Sequence, residues 1–145
     1  MDFLTEALKE AQKAYEKNEI PVGAVIVKDN IIIARAHNLK EELKDVTAHA
    51  EILAIKKASE YLNNWRLQGC EMYVTLEPCP MCAAAIAAAR IKRIYIGTFD
   101  PKVGACGSTI NILQNITLNY FVDVIWLYEE ECSNIITKFF NKKCR

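Results

Sequence analysis

Residues 71–89 read EMYVTLEPCPMCAAAIAAA, and this segment decides the fold. We predict a strand over residues 71–75, after which Pro78 introduces a helix from about residue 79 to residue 89. Six of the seven residues from 83 to 89 are alanine, which favours a helix that packs closely on a sheet. A strand followed directly by such a helix is a typical unit of an α/β fold.

Further elements of the same kind extend on both sides of this segment. In chain order we predict a helix over residues 2–17, a hairpin of strands over 22–27 and 31–34, a charged loop over 40–45, a helix over 48–62 capped by Thr47, the strand and helix above, a strand over 93–97, a short helix over 108–113, a strand over 121–127 and a helix over 129–141. This order predicts a three-layer α/β/α fold with a five-stranded mixed sheet, in a single domain over residues 1–145.

Composition excludes several classes of protein. The 145 residues are 52% hydrophobic, and 18 basic residues balance 18 acidic ones, so no global basic field draws the chain to nucleic acid or to a membrane. We find no signal-peptide pattern and no membrane span, and we expect a cytoplasmic protein. In a reducing compartment the Cys79 and Cys82 pair is more typical of metal or redox chemistry than of a disulfide framework.

Three candidate metal ligands stand in two clusters. His49 begins one predicted helix, and Cys79 and Cys82 begin another, at the carboxyl ends of strands where ligands usually bind in α/β folds. One imidazole and two thiolates are good Zn²⁺ ligands and leave a fourth tetrahedral position open, as catalytic sites do. Glu51, two residues after His49, can then move protons between a water molecule and a substrate nitrogen.

Each of these residues can also be explained without catalysis. A single Cys-x-x-Cys is found in thioredoxin-like redox pairs and in structural zinc sites, so a zinc-stabilised binding module or a redox module remains an alternative. The combination His-x-Glu followed by Pro-Cys-x-x-Cys is nevertheless the signature of zinc deaminases. The combined pattern therefore predicts a hydrolytic deaminase.

The chain resembles the cytidine deaminase-like superfamily and, within it, the bacterial tRNA adenosine deaminases. The resemblance rests on residues 19–25, Asn38, residues 47–51, residues 73–79 with Met81 and Cys82, a set between Gly97 and Ser108 that includes Asp100 and Lys102, Glu131-Cys132 and Phe139-Phe140. It implies one zinc per chain, held by His49, Cys79 and Cys82, with Glu51 as the catalytic proton shuttle.

The same resemblance implies contacts with the substrate. Asn38 would hydrogen-bond the target base, the backbone N–H of Ala50 would orient it, Val22 would line the pocket and Asp100 would contact the sugar or the flanking backbone. It further implies a homodimer that acts on the anticodon stem-loop of a tRNA and converts the wobble adenosine to inosine.

A deaminase of a free base or nucleoside, such as guanine or cytosine, is the alternative with the same zinc chemistry. Two features bear on this choice. Lys138, Lys142, Lys143 and Arg145 form a local basic tail, which favours RNA binding. Tyr120 and Phe121 stand where the tRNA-editing family usually has a basic residue, and their rings could stack on unpaired bases.

Overall fold

Most of the predicted helices and strands are present, with shifted ends. The computed structural model describes residues 2–143, apart from the side chain of Lys143. Its elements are α1 (Phe3–Glu16), β1 (Gly23–Lys28), β2 (Ile31–His37), α2 (Lys40–Leu43), α3 (Ala50–Leu62), β3 (Cys70–Leu76), α4 (Pro80–Ala88), β4 (Arg93–Thr98), β5 (Gln114–Asn115), β6 (Tyr120–Phe121), β7 (Asp123–Trp126) and α5 (Glu130–Lys143).

The main sheet has five strands in the order β2-β1-β3-β4-β7. Strand β1 pairs antiparallel with β2 and β3, whereas β3, β4 and β7 are parallel. Because β2 and β3 both run antiparallel to β1, their carboxyl ends lie at the same edge of the sheet. The predicted five-stranded mixed sheet is confirmed.

Alternate residues of β1 belong to two separate cores. Ala24 and Ile26 are buried with the alanines of α3 and α4, whereas Val25 and Val27 are buried with Leu4 and Ala7 of α1. Successive side chains of a strand point to opposite faces, so helices cover the sheet on both sides. Alanines of α4 belong to the first core, as expected from its composition.

One close approach joins α1 to the sheet. A Cβ atom added at Gly23 would lie 2.0 Å from the carbonyl oxygen of Ala7 and 2.5 Å from the nitrogen of Ala11. The backbones of α1 and β1 are therefore too close for any side chain at this position, and the sequence has glycine there.

The β1–β2 hairpin has the predicted turn. Asp29 and Asn30 have φ angles of 51° and 62°, and Lys28 pairs with Ile31 across the turn. Asparagine and aspartate tolerate the left-handed region better than most residues, and two positive φ angles match the twist of a two-residue hairpin.

The predicted structure of residues 40–49 is wrong in two details. Residues 40–43 form a short helix rather than a loop, because the carboxylate of Glu19 accepts hydrogen bonds from the nitrogens of Glu41 and Glu42 at 2.9 and 2.7 Å. Thr47 does not cap α3. Its nitrogen and hydroxyl both bond to Asp45, and the N-cap of α3 is His49.

The segment between β4 and α5 also differs from the prediction. Residues 108–113 form turns with an isolated bridge from Cys106 to Asn111, not a helix. The predicted strand over 121–127 is divided: residues 120–121 pair with residues 114–115 in a small separate sheet, and only residues 123–126 join the main sheet. Long-range pairing, which local sequence does not report, decides this segment.

Candidate active site

The three candidate metal ligands meet where α3 and α4 begin. His49 is the N-cap of α3 and Cys79 is the N-cap of α4, each in extended conformation. The Nδ1 atom of His49 lies 3.8 Å from the Sγ atom of Cys79 and 3.5 Å from that of Cys82. The shared carboxyl edge of β2 and β3 brings these two helix starts together.

These donors fit a zinc ion. Their ligand atoms all lie within 4.8 Å of one another, and an imidazole nitrogen with two thiolate sulfurs is a donor set that zinc prefers. Hydrogen bonding from Cys82, and then from His49, lowers the pKa of the Cys79 thiol to about 4, against the effect of burial. The pKa of Cys82 is raised, mainly by its hydrogen bond to Cys79 and by burial. The surroundings of Cys79 thus favour its anionic form, which is the form that binds zinc.

Glu51 lies beside this group in the first turn of α3. Its side chain is buried, with 4% of the residue exposed, and it lines the same cavity as His49. Burial raises the pKa of the Glu51 carboxyl to about 7. In the middle of a helix, residues two apart point to different sides. His49 and Glu51 can share one cavity because His49 precedes the helix.

A cavity of about 400 Å³ opens over these groups. It is lined by predicted site residues from five segments of the chain, namely Val22, Asn38, His49, Ala50, Glu51, Cys79 and Asp100. Cys82 is fully buried and is not part of the lining. The structure therefore brings all eight predicted site residues to one place.

Asn38 and Asp100 also form hydrogen bonds within the protein. The Asn38 amide nitrogen donates to the carbonyl of Ile20 at 3.3 Å, and its oxygen accepts from the nitrogen of Lys40 at 3.4 Å. The Oδ1 atom of Asp100 accepts from the nitrogens of Lys102 and Val103 at 2.9 and 3.3 Å. Asparagine and aspartate side chains have further donor or acceptor capacity, which remains for a ligand.

Several lining residues were not predicted from the sequence. They are Lys40, Glu77, Phe99, Ile136 and Phe140. Phe99 and Phe140 are 51% and 46% exposed, and these rings lie at the cavity although they are far apart in the chain. Ile136 and Phe140 are four residues apart in α5, so helical geometry places them on one face, but spacing does not indicate that this face reaches a site.

The other candidate RNA contacts lie elsewhere. Tyr120 and Phe121 form β6 and do not line the cavity. Within the basic tail, the Nζ atoms of Lys138 and Lys142 lie 5.1 and 5.0 Å from the ring centroid of Tyr15, so both contact α1. Arg145 lies outside the described residues.

Comparison with known proteins identifies the family. Residues 1–98 match the model of the cytidine and deoxycytidylate deaminase zinc-binding region. The tRNA-specific adenosine deaminase of Bacillus subtilis (strain 168) is 48% identical over 141 residues, which cover 97% of this chain and 88% of that protein.

Two solved structures are also similar. One comes from biochemical and structural studies of A-to-I editing by tRNA:A34 deaminases at the wobble position of transfer RNA. It matches with a TM-score of 0.89 and 50% identity, over 92% of this chain and 97% of that one. The X-ray structure of guanine deaminase from Bacillus subtilis matches with a TM-score of 0.65 and 32% identity, over 96% and 92% of the two chains.

The chain therefore belongs to the cytidine and deoxycytidylate deaminase zinc-binding family, and it is a zinc-dependent hydrolytic deaminase. Within that family, the tRNA-specific adenosine deaminase of Bacillus subtilis is similar to it over nearly the whole chain. No helix in the described part of the chain is long and apolar enough to cross a membrane.

Proposed function

We propose that this protein is a tRNA-specific adenosine deaminase that converts adenosine to inosine at the wobble position of an anticodon. The observation that carries the proposal is the 48% identity over 97% of the chain to a protein of that name. The cavity supports it, because two of the three zinc donors, a buried carboxylate and an amide side chain all line one space. Guanine deaminase is less similar, both in TM-score and in identity.

His49, Cys79 and Cys82 are the proposed zinc ligands. Zinc bound by such donors lowers the pKa of a water molecule and makes a nucleophile available near neutral pH. Glu51 is the proposed proton shuttle: its carboxylate takes a proton from the attacking water and returns it to the amino nitrogen of the adenine. A C6–O bond forms, the C6–N bond breaks, and ammonia leaves.

The remaining predicted residues are proposed to hold the base. The Ala50 N–H is in the first turn of α3, where backbone donors have no partner within the helix, and it can donate to the ring. The Asn38 amide lines the same cavity and can pair with the polar edge of the base. Val22, which is 9% exposed, packs against the base, and Asp100 contacts the sugar or flanking backbone.

The domain organisation, oligomeric state and cellular location are proposed from the similarity to tRNA-specific adenosine deaminases. We propose that residues 1–145 act as one domain, that the protein is a homodimer and that it works in the cytoplasm on the anticodon stem-loop. Cysteines 70, 79, 82, 106 and 132 are free thiols, as is typical of a reducing compartment.

The test is product analysis with zinc-loaded protein. An anticodon stem-loop with adenosine at the wobble position, free adenosine, guanine and cytosine are supplied in parallel, and ammonia and the product base are measured. Inosine formed in the stem-loop alone is the expected result. Turnover of a free base without editing of the stem-loop would replace the proposal with the free-base alternative.

Glu51→Gln is the variant that tests the proton shuttle. We expect it to keep its zinc and to lose about 10²–10⁴-fold in turnover, the usual contribution of a positioned acid or base. Glu60→Gln is the matched control, because Glu60 lies exposed on the same helix. Ammonia release by Glu51→Gln at the rate of the control would remove Glu51 from the mechanism.

A further inference from the structure

One wall of the active-site cavity is a loop without regular secondary structure. The lining includes five consecutive residues of the segment after β4, Phe99 to Val103. Between Thr98 and Gln114 this segment forms turns and one isolated bridge. A substrate wall of this kind needs some other interaction to fix its shape.

The carboxylate of Glu77 supplies that interaction. Its Oε1 atom accepts a hydrogen bond from the nitrogen of Asp100 at 2.9 Å, and its Oε2 atom accepts from the nitrogens of Cys106 and Ser108 at 3.0 and 3.1 Å. The Ser108 hydroxyl donates a fourth hydrogen bond to Oε1. Four donors from one loop therefore converge on one side chain of the β3–α4 connection.

This carboxylate is buried without a cation. Glu77 is 2% exposed, and in the described part of the chain no lysine, arginine or histidine forms a salt bridge with it. A buried charge is costly unless hydrogen bonds compensate for it. Here the compensation comes mainly from backbone N–H groups of the loop, so the loop conformation and the buried charge depend on each other.

Gly104 shows how closely the loop surrounds the carboxylate. A Cβ atom at this position would lie 2.3 Å from both Cδ and Oε1 of Glu77 and 2.5 Å from the carbonyl oxygen of Asp100. The same turn is closed by a 3.0 Å hydrogen bond from the nitrogen of Gly104 to that carbonyl. The loop thus wraps around Glu77 and places Asp100 at the cavity.

We propose that Glu77 is a positioning residue for substrate binding, which acts by holding residues 99–108 as the wall that contacts the substrate beyond its reacting base. It is not one of the grouped metal donors. The identity of the substrate rests on the function proposed above, whereas the role of Glu77 rests on its hydrogen bonds alone.

Glu77→Gln tests this role. Glutamine has nearly the same shape, but its NH₂ group would face donors where the carboxylate accepts. Two backbone hydrogen bonds of 2.9 Å remain in the variant, one from the Glu77 nitrogen to the oxygen of Thr98 at the end of β4 and one from the Ala105 nitrogen in the loop to the Pro78 oxygen. We therefore expect a folded protein with full zinc content, in which KM for the stem-loop rises about tenfold or more while kcat changes less.

Hydrogen exchange gives a readout that needs no substrate. In Glu77→Gln we expect faster exchange at the amides of Asp100, Cys106 and Ser108, with unchanged exchange in α3 and α4. The matched control is Glu71→Gln, because Glu71 is a half-buried carboxylate of β3 that pairs with Arg93 and not with the loop. We expect that control to match the wild type in KM and in loop exchange.

Ser108→Ala removes only the hydroxyl donor and decides the matter if Glu77→Gln does not fold. We expect Ser108→Ala to raise KM and to speed exchange in the loop, and both effects to be smaller than those of Glu77→Gln. Unchanged loop exchange in the variant used would overturn the proposal, as would loss of zinc or of kcat at unchanged KM. If the wild type deaminates a free base instead, the function proposed above fails and the KM expectation fails with it, because a free base has no part that reaches residues 99–108; the exchange result then decides whether Glu77 holds the loop. If it deaminates no substrate offered, the exchange result alone decides.

Discussion

Glu10 is a buried carboxylate of α1 that pairs with two basic side chains. It is 4% exposed and accepts hydrogen bonds from Lys13 at 2.7 Å and from His37 at 2.9 Å. Burial alone would raise the pKa of Glu10, but these two partners outweigh it, and the pKa lies below its ordinary value. The ionised form is therefore favoured more in the folded than in the unfolded state.

We predict that Glu10→Gln destabilises the protein at neutral pH by about 1–3 kcal/mol, the order of a charge-assisted hydrogen bond. A carboxylate with a lowered pKa stabilises the fold above its unfolded pKa, and this contribution is lost as pH falls through the folded value. Urea unfolding at pH 7 and at successively lower pH measures the difference. A difference between wild type and variant that persists unchanged at a pH below the folded pKa of Glu10 would contradict the assignment.

Residues whose chemistry depends on spacing could be predicted from the sequence, and residues that bind distant backbone could not. His49, Glu51, Cys79 and Cys82 form a recognisable pattern, and the structure brings them together. The partners of Glu77 are backbone N–H groups more than twenty residues away. Any residue type except proline can supply such a donor, so these partners leave no signal in the sequence.

At the scale of elements, the approach of α1 to β1 depends on Gly23. We predict that Gly23→Ala destabilises the protein by about 1–3 kcal/mol or more, because the added Cβ would meet backbone atoms of α1 rather than a movable side chain. Thermal unfolding followed by circular dichroism measures the effect.

Gly69→Ala is the comparison for this substitution. At Gly69 an added Cβ would meet nothing closer than 3.8 Å, but φ is +80°, so only backbone strain opposes alanine, at a cost of about 1 kcal/mol. We expect the larger fall in Tm for Gly23→Ala. An equal or smaller fall would show that α1 can move away from the sheet at little cost.

Elements formed by local pattern were predicted better than those formed by long-range pairing. The helices over residues 3–16 and 50–62 and the hairpin at Asp29-Asn30 match apolar spacing and turn chemistry. The turns over 108–113 and the break at Val122 in the predicted strand do not follow from local pattern. Their conformation depends on the Glu77 carboxylate and on the pairing of residues 114–115 with 120–121. Local propensity does not contain this information.

At the scale of the whole molecule, zinc should contribute to stability as well as to activity. Its three proposed ligands come from the starts of α3 and α4, so a bound ion links two helices of the same layer. A ligand that binds only the folded state stabilises it in proportion to the logarithm of its concentration relative to Kd.

We predict that removal of zinc by a chelator lowers Tm and abolishes deamination, and that added Zn²⁺ restores both. Differential scanning calorimetry before and after chelation, with the metal content measured, provides the test. An unchanged Tm in metal-free protein would show that the donor cluster is formed by protein packing alone.

The proposed homodimer is a second prediction at this scale. Several large apolar side chains are exposed in the single chain, including Ile116 at 85% and Phe121 at 68%. Such residues between positions 103 and 122 are suitable for an interface. We expect sedimentation to give twice the 16.4 kDa mass of one chain, and we expect Ile116→Lys to shift the protein toward the monomer. A monomeric wild type at micromolar concentration would contradict the dimer.

The order of the cavity residues along the chain has an evolutionary consequence. The zinc donors and Glu51 all lie between residues 49 and 82, whereas the Phe99–Val103 wall and the α5 residues Ile136 and Phe140 come later. The family match ends at residue 98, just before that wall. Mutations in the later part can therefore alter the wall that a substrate meets while the zinc donors and Glu51 are left intact, so this half of the gene can evolve new substrate contacts without loss of the chemistry.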